Sequence, residues 1–312
     1  MKGGKITAFD HFMRGVVVVG TLMTFVGILA HFIPTTDIVN HFRPLTLVGC
    51  IGGIALALLG RRMLAGMGLT ALAVINSCII LVVSSYAAKT VETTSGRDVK
   101  IVTFNVYGAN ENLAEASKWL IAQNADIMVL EEMTSRSKPG LMPALEVAFP
   151  HIYDCGCNDI IIASKRPWLR AGGHSRTTAL PSWSWVELDD EKGGKLRVVG
   201  LRPYYPYRSN EQAVHYTWIE NQLASIKQPM IVIGDFNLTP WSWKLGRLSH
   251  RTGLLRHGTW ARSWPAQDNW PDVPAFLIDN VLTSPEIRSV SFATGPRLGS
   301  DHLPIVATVR LP

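Results

Sequence analysis

Three stretches without a charged side chain, Gly15 to Ile33, Leu45 to Gly60 and Leu64 to Ala88, fall at the start of this 312-residue chain. None offers a charged face to water, so a buried soluble bundle is disfavoured. Each can cross a bilayer, the second with some thinning or help from its flanks. The first is too long for a cleaved signal peptide, and two more stretches follow it. Residues 1–88 are therefore expected to form a three-span transmembrane anchor, with the bilayer as a partner. No protein partner is evident.

Basic residues set the expected orientation. Lys2, Lys5 and Arg14 precede the first span and Arg61 and Arg62 occupy the second turn, whereas Pro34 to Pro44 contains only Arg43. The positive-inside rule places the N-terminus and the second turn in the cytoplasm. An odd number of spans then puts the remainder on the far side of an inner membrane, in the periplasm, although Lys89, Arg97 and Lys100 pull the other way.

The net charge of +6 divides unevenly. Residues 1–88 hold 6 Lys/Arg against 2 Asp/Glu, leaving 24 against 22 for the rest. The basic excess is mostly topological, which weakens long DNA as a partner, although Lys165, Arg166 and Arg170 form a local basic patch. Cys50 and Cys78 lie inside spans. Cys155 and Cys157 stand at C-x-C spacing with no second pair nearby, which argues against zinc and leaves both a disulfide and two thiols open.

Residues 89–98 (KTVETTSGRD) read as a linker, and residues 99–312 as one domain of alternating strands and helices. Strands are expected at Lys100 to Val106, Asp126 to Glu131, Asp159 to Ala163, Ser184 to Leu188, Leu196 to Leu201, Met230 to Ile233, Phe276 to Leu282, Ile287 to Phe292 and Pro304 to Leu311. The fourth and fifth read as a hairpin across DDEKGGK. Helices are expected at Asn112 to Gln123, Leu141 to Phe149 and Asn210 to Lys227.

Polar residues gather where these strands stop. Met230 to Ile233 is apolar on both faces, so it belongs at the centre of a covered sheet, and Gly234 lets the chain turn to deliver Asp235 and Asn237. If the backbone stays extended, those two side chains share one side. The plainer reading of a D-x-N pair is a local Asx turn. Asn105 ends another strand, Glu131 and Glu132 a third, and Ser300, Asp301 and His302 (SDH) precede the last.

Strand ends reading Asn, Glu, GDFN and SDH, in that order, resemble the endonuclease/exonuclease/phosphatase superfamily over roughly residues 98 to 312. The resemblance implies an α+β fold, a DNase-I-like four-layer α/β/β/α sandwich, here preceded by the three-helix anchor. It implies a metal-dependent phosphoesterase acting on phosphodiester or phosphomonoester bonds, with Mg²⁺ as cofactor and Mn²⁺ as a common substitute. Glu132 and Asp301 resemble metal ligands, and Asn105 the residue that helps hold metal and phosphate. Asp235 resembles the residue that orients the attacking water, and Asn237 the phosphate donor. His302 resembles the acid/base or phosphate-contacting histidine, and Asp279 its carboxylate partner. The phosphorylated substrate could be a lipid headgroup, a nucleotide or a nucleic acid.

Two positions depart from that pattern. Arg202 stands where relatives carry a second histidine, and Asp159 where they often have glycine. Arginine binds phosphate oxygens but gives up no proton at neutral pH. The alternative reading is therefore a catalytically weak relative that binds a phospholigand or a partner. All ten tryptophans lie beyond residue 118, and Trp241 and Trp243 could flank the substrate or touch the membrane surface.

Overall fold

The computed structural model describes residues 7–88, 96–189, 194–258, 260–267 and 275–312. Most of the expected linker, the tip of the DDEKGGK turn, Lys2, Lys5 and Trp270 lie outside them. The chain divides into two compact units, Met1–Ser85 with Trp241–Gly246, and Tyr86–Pro240 with Arg247–Pro312.

The first unit contains α1 (Ala8–Ile28), α2 (Arg43–Leu59) and α3 (Met63–Ser84). A capping box between Thr7 and Asp10 starts α1, satisfying backbone donors that the first turn leaves free. All three helical segments are long and apolar enough to cross a membrane. Met13, Cys50, Ala57, Leu69 and Leu72 meet at the centre of the bundle. Arg62 in the second turn pairs with Asp10 at 2.5 Å, so the two ends assigned to the cytoplasm share one end of the bundle. A polar chain crosses the interior: Arg43 donates to Asn76 (2.9 Å), and Asn76 to the Thr24 hydroxyl (2.8 Å). Asn40 takes a bond from Arg43 and donates to the Gly27 carbonyl (3.0 Å). Such groups must be satisfied internally, because hydrocarbon offers no partner.

The segment Pro34–Phe42, read as a loop, is a 3₁₀ helix started by its proline. Its Asp37 accepts bonds from the Ser242 hydroxyl (2.7 Å) and from the backbone N–H groups of Trp243 (2.8 Å) and Lys244 (3.2 Å). Trp241 is buried, and the Trp243 ring meets His31 edge-on at 4.7 Å.

The second unit is built on two six-stranded sheets. The first contains β1 (Arg97–Asn105), β2 (Ile127–Glu131), β3 (His151–Asp154), β4 (Ile161–Ser164), β11 (Arg288–Thr294) and β12 (Ile305–Leu311), ordered β11-β12-β1-β2-β4-β3. The second contains β5 (Trp168–His174), β6 (Ser182–Asp189), β7 (Lys195–Arg202), β8 (Met230–Asp235), β9 (Leu255–His257) and β10 (Asp279–Thr283), ordered β5-β6-β7-β8-β10-β9. Each sheet has one parallel pair joined by a crossover helix: β1 and β2 through α4 (Leu113–Ala122), β7 and β8 through α6 (Ser209–Ser225). The other pairings between these strands are antiparallel. Two further helices are α5 (Lys138–Ala148) and α7 (Trp243–Thr252), the latter belonging to this unit from Arg247 onward.

The central strands are apolar on both faces because both are covered. Val99, Ile101, Val129 and Ile305 of one sheet meet Val186, Val198, Ile231, Ile233 and Val281 of the other in a single core. The alternate residues Val102, Phe104, Met128 and Leu130 pack outward on Ala116, Leu120, Leu141 and Leu145 of α4 and α5. Each such fully buried aliphatic side chain contributes roughly 1.5–3 kcal/mol. This is the expected four-layer sandwich. At Gly200 the sheets come so close that a Cβ would lie 2.9 Å from both Val129 and Ile160. A rigid two-sheet core thus fixes the strand ends on which the polar residues sit.

Candidate active site

Strand register explains how residues far apart in sequence meet. Asn105 is paired with Glu131 across the parallel β1–β2 ladder, and Asp235 with Asp279 across the antiparallel β8–β10 ladder. Gly234 has φ +139°, and a Cβ there would meet the Leu201 carbonyl at 2.3 Å, so only glycine lets β8 deliver Asp235 in this way. Ser300 brings in the last strand end: its hydroxyl donates to the Asn105 carbonyl (2.7 Å) and accepts the His302 N–H (3.0 Å).

The Asn105 amide nitrogen is the hub. It lies 3.1 Å from Asp235 Oδ2, 3.3 Å from Glu132 Oε1 and 3.5 Å from His302 Nε2. One side chain thereby touches groups delivered by both sheets. Beyond Asp235 the backbone does not remain extended. Asn237 takes φ +52°, and its N–H donates to Asp235 Oδ1 (2.9 Å). The Asx turn is therefore present, and it serves the pocket: the Asn237 amide donates to Asp235 Oδ2 (3.1 Å) and to the Pro203 carbonyl (3.3 Å). Three donors occupy the Asp235 carboxylate, two on Oδ2 and one on Oδ1, and a carboxylate has about four acceptor positions. One place on Oδ1 remains for water.

Burial raises the Asp235 carboxyl; the His302 charge opposes this, Asp279 adds to it, and the value settles at about 6. His302 donates from Nδ1 to Asp279 Oδ2 at 2.8 Å. Burial works against its charge, but Asp279 and then Asp235 outweigh it and lift the imidazole to about 10. At neutral pH it is an imidazolium with Nδ1–H committed and Nε2–H beside the Asn105 amide. Glu131 is fully buried, and desolvation drives it well above the ordinary carboxylate range, while its Oε1 accepts the Thr103 hydroxyl at 2.7 Å.

Glu132 has φ +58° and turns out of the sheet. Burial opposes its charge, but Arg202, the Gly108 N–H (2.9 Å) and Asn105 hold it below its ordinary value. Arg202 sits among carboxylates: Nη2 is 2.6 Å from Glu132, Nη1 3.0 and 3.2 Å from the two Asp159 oxygens, and Nε 4.0 Å from Asp235. Burial opposes its charge too, and Asp159, Glu132 and Asp235 raise it above the usual arginine range. The two departures from the family pattern are therefore bonded to each other. Asp159 is steadied further by the Ser182 hydroxyl and the Glu132 N–H (3.1 Å). Cys155 and Cys157, just upstream, form a disulfide.

Buried carboxylate oxygens suit a hard divalent cation: Asp279 Oδ1 and Asp301 Oδ1 have no donor among the described residues. Asp235, Asp279 and His302 bring ligand atoms within 4.8 Å of one another, but a charged His302 offers no lone pair, so the carboxylates carry the fit. Sequence reading gave no role to Ser182, Thr103, Ser300 or Arg176. Ser300 carried a signal, since it opens the SDH motif.

A sequence profile of the Endonuclease/Exonuclease/phosphatase family matches residues 102–302. No curated protein matches the chain. Among solved structures, the endonuclease/exonuclease/phosphatase from Beutenbergia cavernae DSM 12333 is similar with a TM-score of 0.56 and 18% identity, over 69% of this chain and 72% of that one. D. rerio TDP2 complexed with a single-strand DNA product gives 0.57 and 17%, over 68% and 99%. Sphingomyelinase C from Streptomyces griseocarneus gives 0.51 and 16%, over 68% and 99%. At these identities the likenesses speak for the fold.

Proposed function

Because the chain belongs to the endonuclease/exonuclease/phosphatase family, whose members are hydrolases of phosphoester bonds, we propose that it is a membrane-anchored, Mg²⁺-assisted phosphoesterase with its reaction centre at Asn105, Asp235 and His302. The observation that carries this reading is the Asn105 amide within 3.5 Å of Asp235, Glu132 and His302. Glu132, Asp301 and Asn105 would hold the cation, which supplies charge neutralisation at the phosphoryl oxygens when bound. Mn²⁺ could take its place.

The protein's own groups divide the remaining work. Asp235, poised near neutrality by burial, orients water through the open place on Oδ1 and accepts its proton. Asn237 and Asn105 hold that carboxylate, and a phosphoryl oxygen would take over the amide N–H that Asn237 now gives to the Pro203 carbonyl. His302, charged and clamped by Asp279, has Nε2–H to offer to a phosphoryl oxygen or to the departing alkoxide. Arg202 gives no proton, and its nitrogens already hold Glu132 and Asp159, so protonation of the leaving group falls to His302.

The three apolar helices make this a membrane protein. Lys2, Lys5 and Arg14 near the N-terminus and Arg61 and Arg62 between α2 and α3 support a catalytic unit outside the cytoplasm, where its substrate is a phosphorylated lipid headgroup, nucleotide or nucleic acid. A second reading, phospholigand binding with little turnover, draws on the 2.6 Å pair between Arg202 and Glu132, because that pair occupies an expected metal ligand.

The full chain in detergent, assayed on phosphomonoesters, phosphodiesters, phospholipids and DNA with Mg²⁺ or with chelator, tests the proposal. Hydrolysis of at least one class that the chelator abolishes is expected. Phosphate binding without turnover on any of them would favour the second reading.

A further inference from the structure

Arg176 lies in the loop after β5, and its guanidinium rests 4.7 Å from the centre of the Tyr204 ring. The neighbouring contacts pin both residues. His215 donates from Nε2 to the Thr177 carbonyl (2.9 Å) and accepts the Tyr204 N–H at Nδ1 (3.2 Å). That pattern requires the neutral imidazole, in line with burial holding His215 below its ordinary value. Gln212 donates to the carbonyls of Tyr204 (2.8 Å) and Asn237 (3.4 Å), and the Asn237 amide donates to the Pro203 carbonyl. The loop bearing Arg176 is thereby tied to the turn that carries Asp235 and Asn237.

Arg176 shares the Tyr204 ring with Arg208, His215 and Tyr205. Arg208 is at 4.2 Å and is neutralised by Glu211 at 2.8 Å, and His215 stacks at 4.8 Å. Arg176 has no carboxylate partner among the described residues, and its Nη1 is buried without an acceptor. Burial, and next the positive charge of Arg202, hold it below the usual arginine range, with the Asp159 charge opposing them only in part. A half-buried guanidinium facing a like charge, with its buried Nη1 donor unused, is a costly arrangement that an anion would relieve. Arginine is also suited to gripping phosphate at two points.

We infer that Arg176, seated on Tyr204, forms a second anion subsite beside the reaction centre, which receives a further phosphate of the substrate next to the scissile one. The inference rests on reading the strand-end cluster as a phosphoester site. It narrows the substrate class to molecules with two neighbouring phosphates, either along a phosphodiester chain or as a polyphosphorylated headgroup, over isolated phosphomonoesters. Arg176 is then a specificity residue that acts on binding.

Isothermal titration of the full chain in detergent with orthophosphate and with pyrophosphate, without divalent cation, tests it. The wild type should bind pyrophosphate roughly tenfold more tightly, the size of one charge-assisted contact. Arg176→Gln should erase that advantage and leave orthophosphate within about twofold, while Arg176→Lys restores part of it as a point charge. Equal affinity for the two anions in the wild type, or equal weakening of both in Arg176→Gln with an unchanged Tm, would overturn the inference. The titration reads binding alone, so it remains decisive if the chain turns over none of the assayed esters. Should it hydrolyse them, the same variant must raise KM for doubly phosphorylated substrates and leave kcat in place.

Discussion

Arg202 donates through one nitrogen to both carboxylate oxygens of Asp159, at 3.2 and 3.0 Å, across 43 positions of sequence. These are the two residues that depart from the family pattern, and each explains the other. A guanidinium at the end of β7 needs a buried counter-charge, and Asp159 at the mouth of β4 provides one. Removing one member of such a pair strands a charge and costs about 3–5 kcal/mol. Arg202→Ala and Asp159→Ala should each lower the Tm of the full chain, and the double variant should lose less than their sum. Strict additivity would mean that the contact stabilises nothing.

The pairing also shows where sequence reading stops. Asn105, Glu132, Asp235 and His302 were legible because each follows or precedes an apolar run, and buried strands announce themselves locally. β3 and β5 were missed because they are partly exposed edge strands without clean alternation, β5 containing two adjacent glycines. The start of α7 was missed because its cap is Asp37, 206 residues away from Trp243. Asp159 and Arg202 were each visible as an oddity, but nothing local says that they touch. The turn at Asn237 was misjudged for a related reason: its left-handed backbone is fixed by bonds to Asp235 and Pro203, which an extended-strand reading does not anticipate.

Glu131 provides a stability test. Its ordinary value is 4.5, and burial raises it well above that in the folded chain. Stability from this group is therefore fully present below pH 4.5 and is lost as pH rises toward the folded value, by up to about 1.4 kcal/mol per pH unit. Glu131→Gln keeps the acceptor for Thr103 and removes the titration. The variant should match the wild type in acid and become the more stable protein as pH rises, measured as Tm between pH 4 and 9. Parallel curves would show that Glu131 is ionised in the fold.

Orientation has its own readout. A reporter active only in the cytoplasm, fused after Pro312, should stay silent, because Arg14, Arg61 and Arg62 hold their end of the bundle inside. A bright fusion would place the catalytic unit in the cytoplasm.

The pH profile should be a bell. Turnover rises as Asp235 loses its proton near 6 and falls as His302 loses its own near 10. Asp279→Asn removes the largest contribution that raises His302, so its alkaline limb should move toward neutrality while the acid limb shifts little. An unmoved alkaline limb would take His302 out of the reaction.

The central claim is that buried Asp235 is the base. Asp235→Asn keeps shape and most hydrogen bonds while removing the charge, and the measurement is kcat on the best substrate with saturating Mg²⁺, for wild type and variant of equal Tm. A loss of about 10² to 10⁴ is predicted. Turnover within a few-fold of the wild type would contradict the account and move the chemistry away from this cluster.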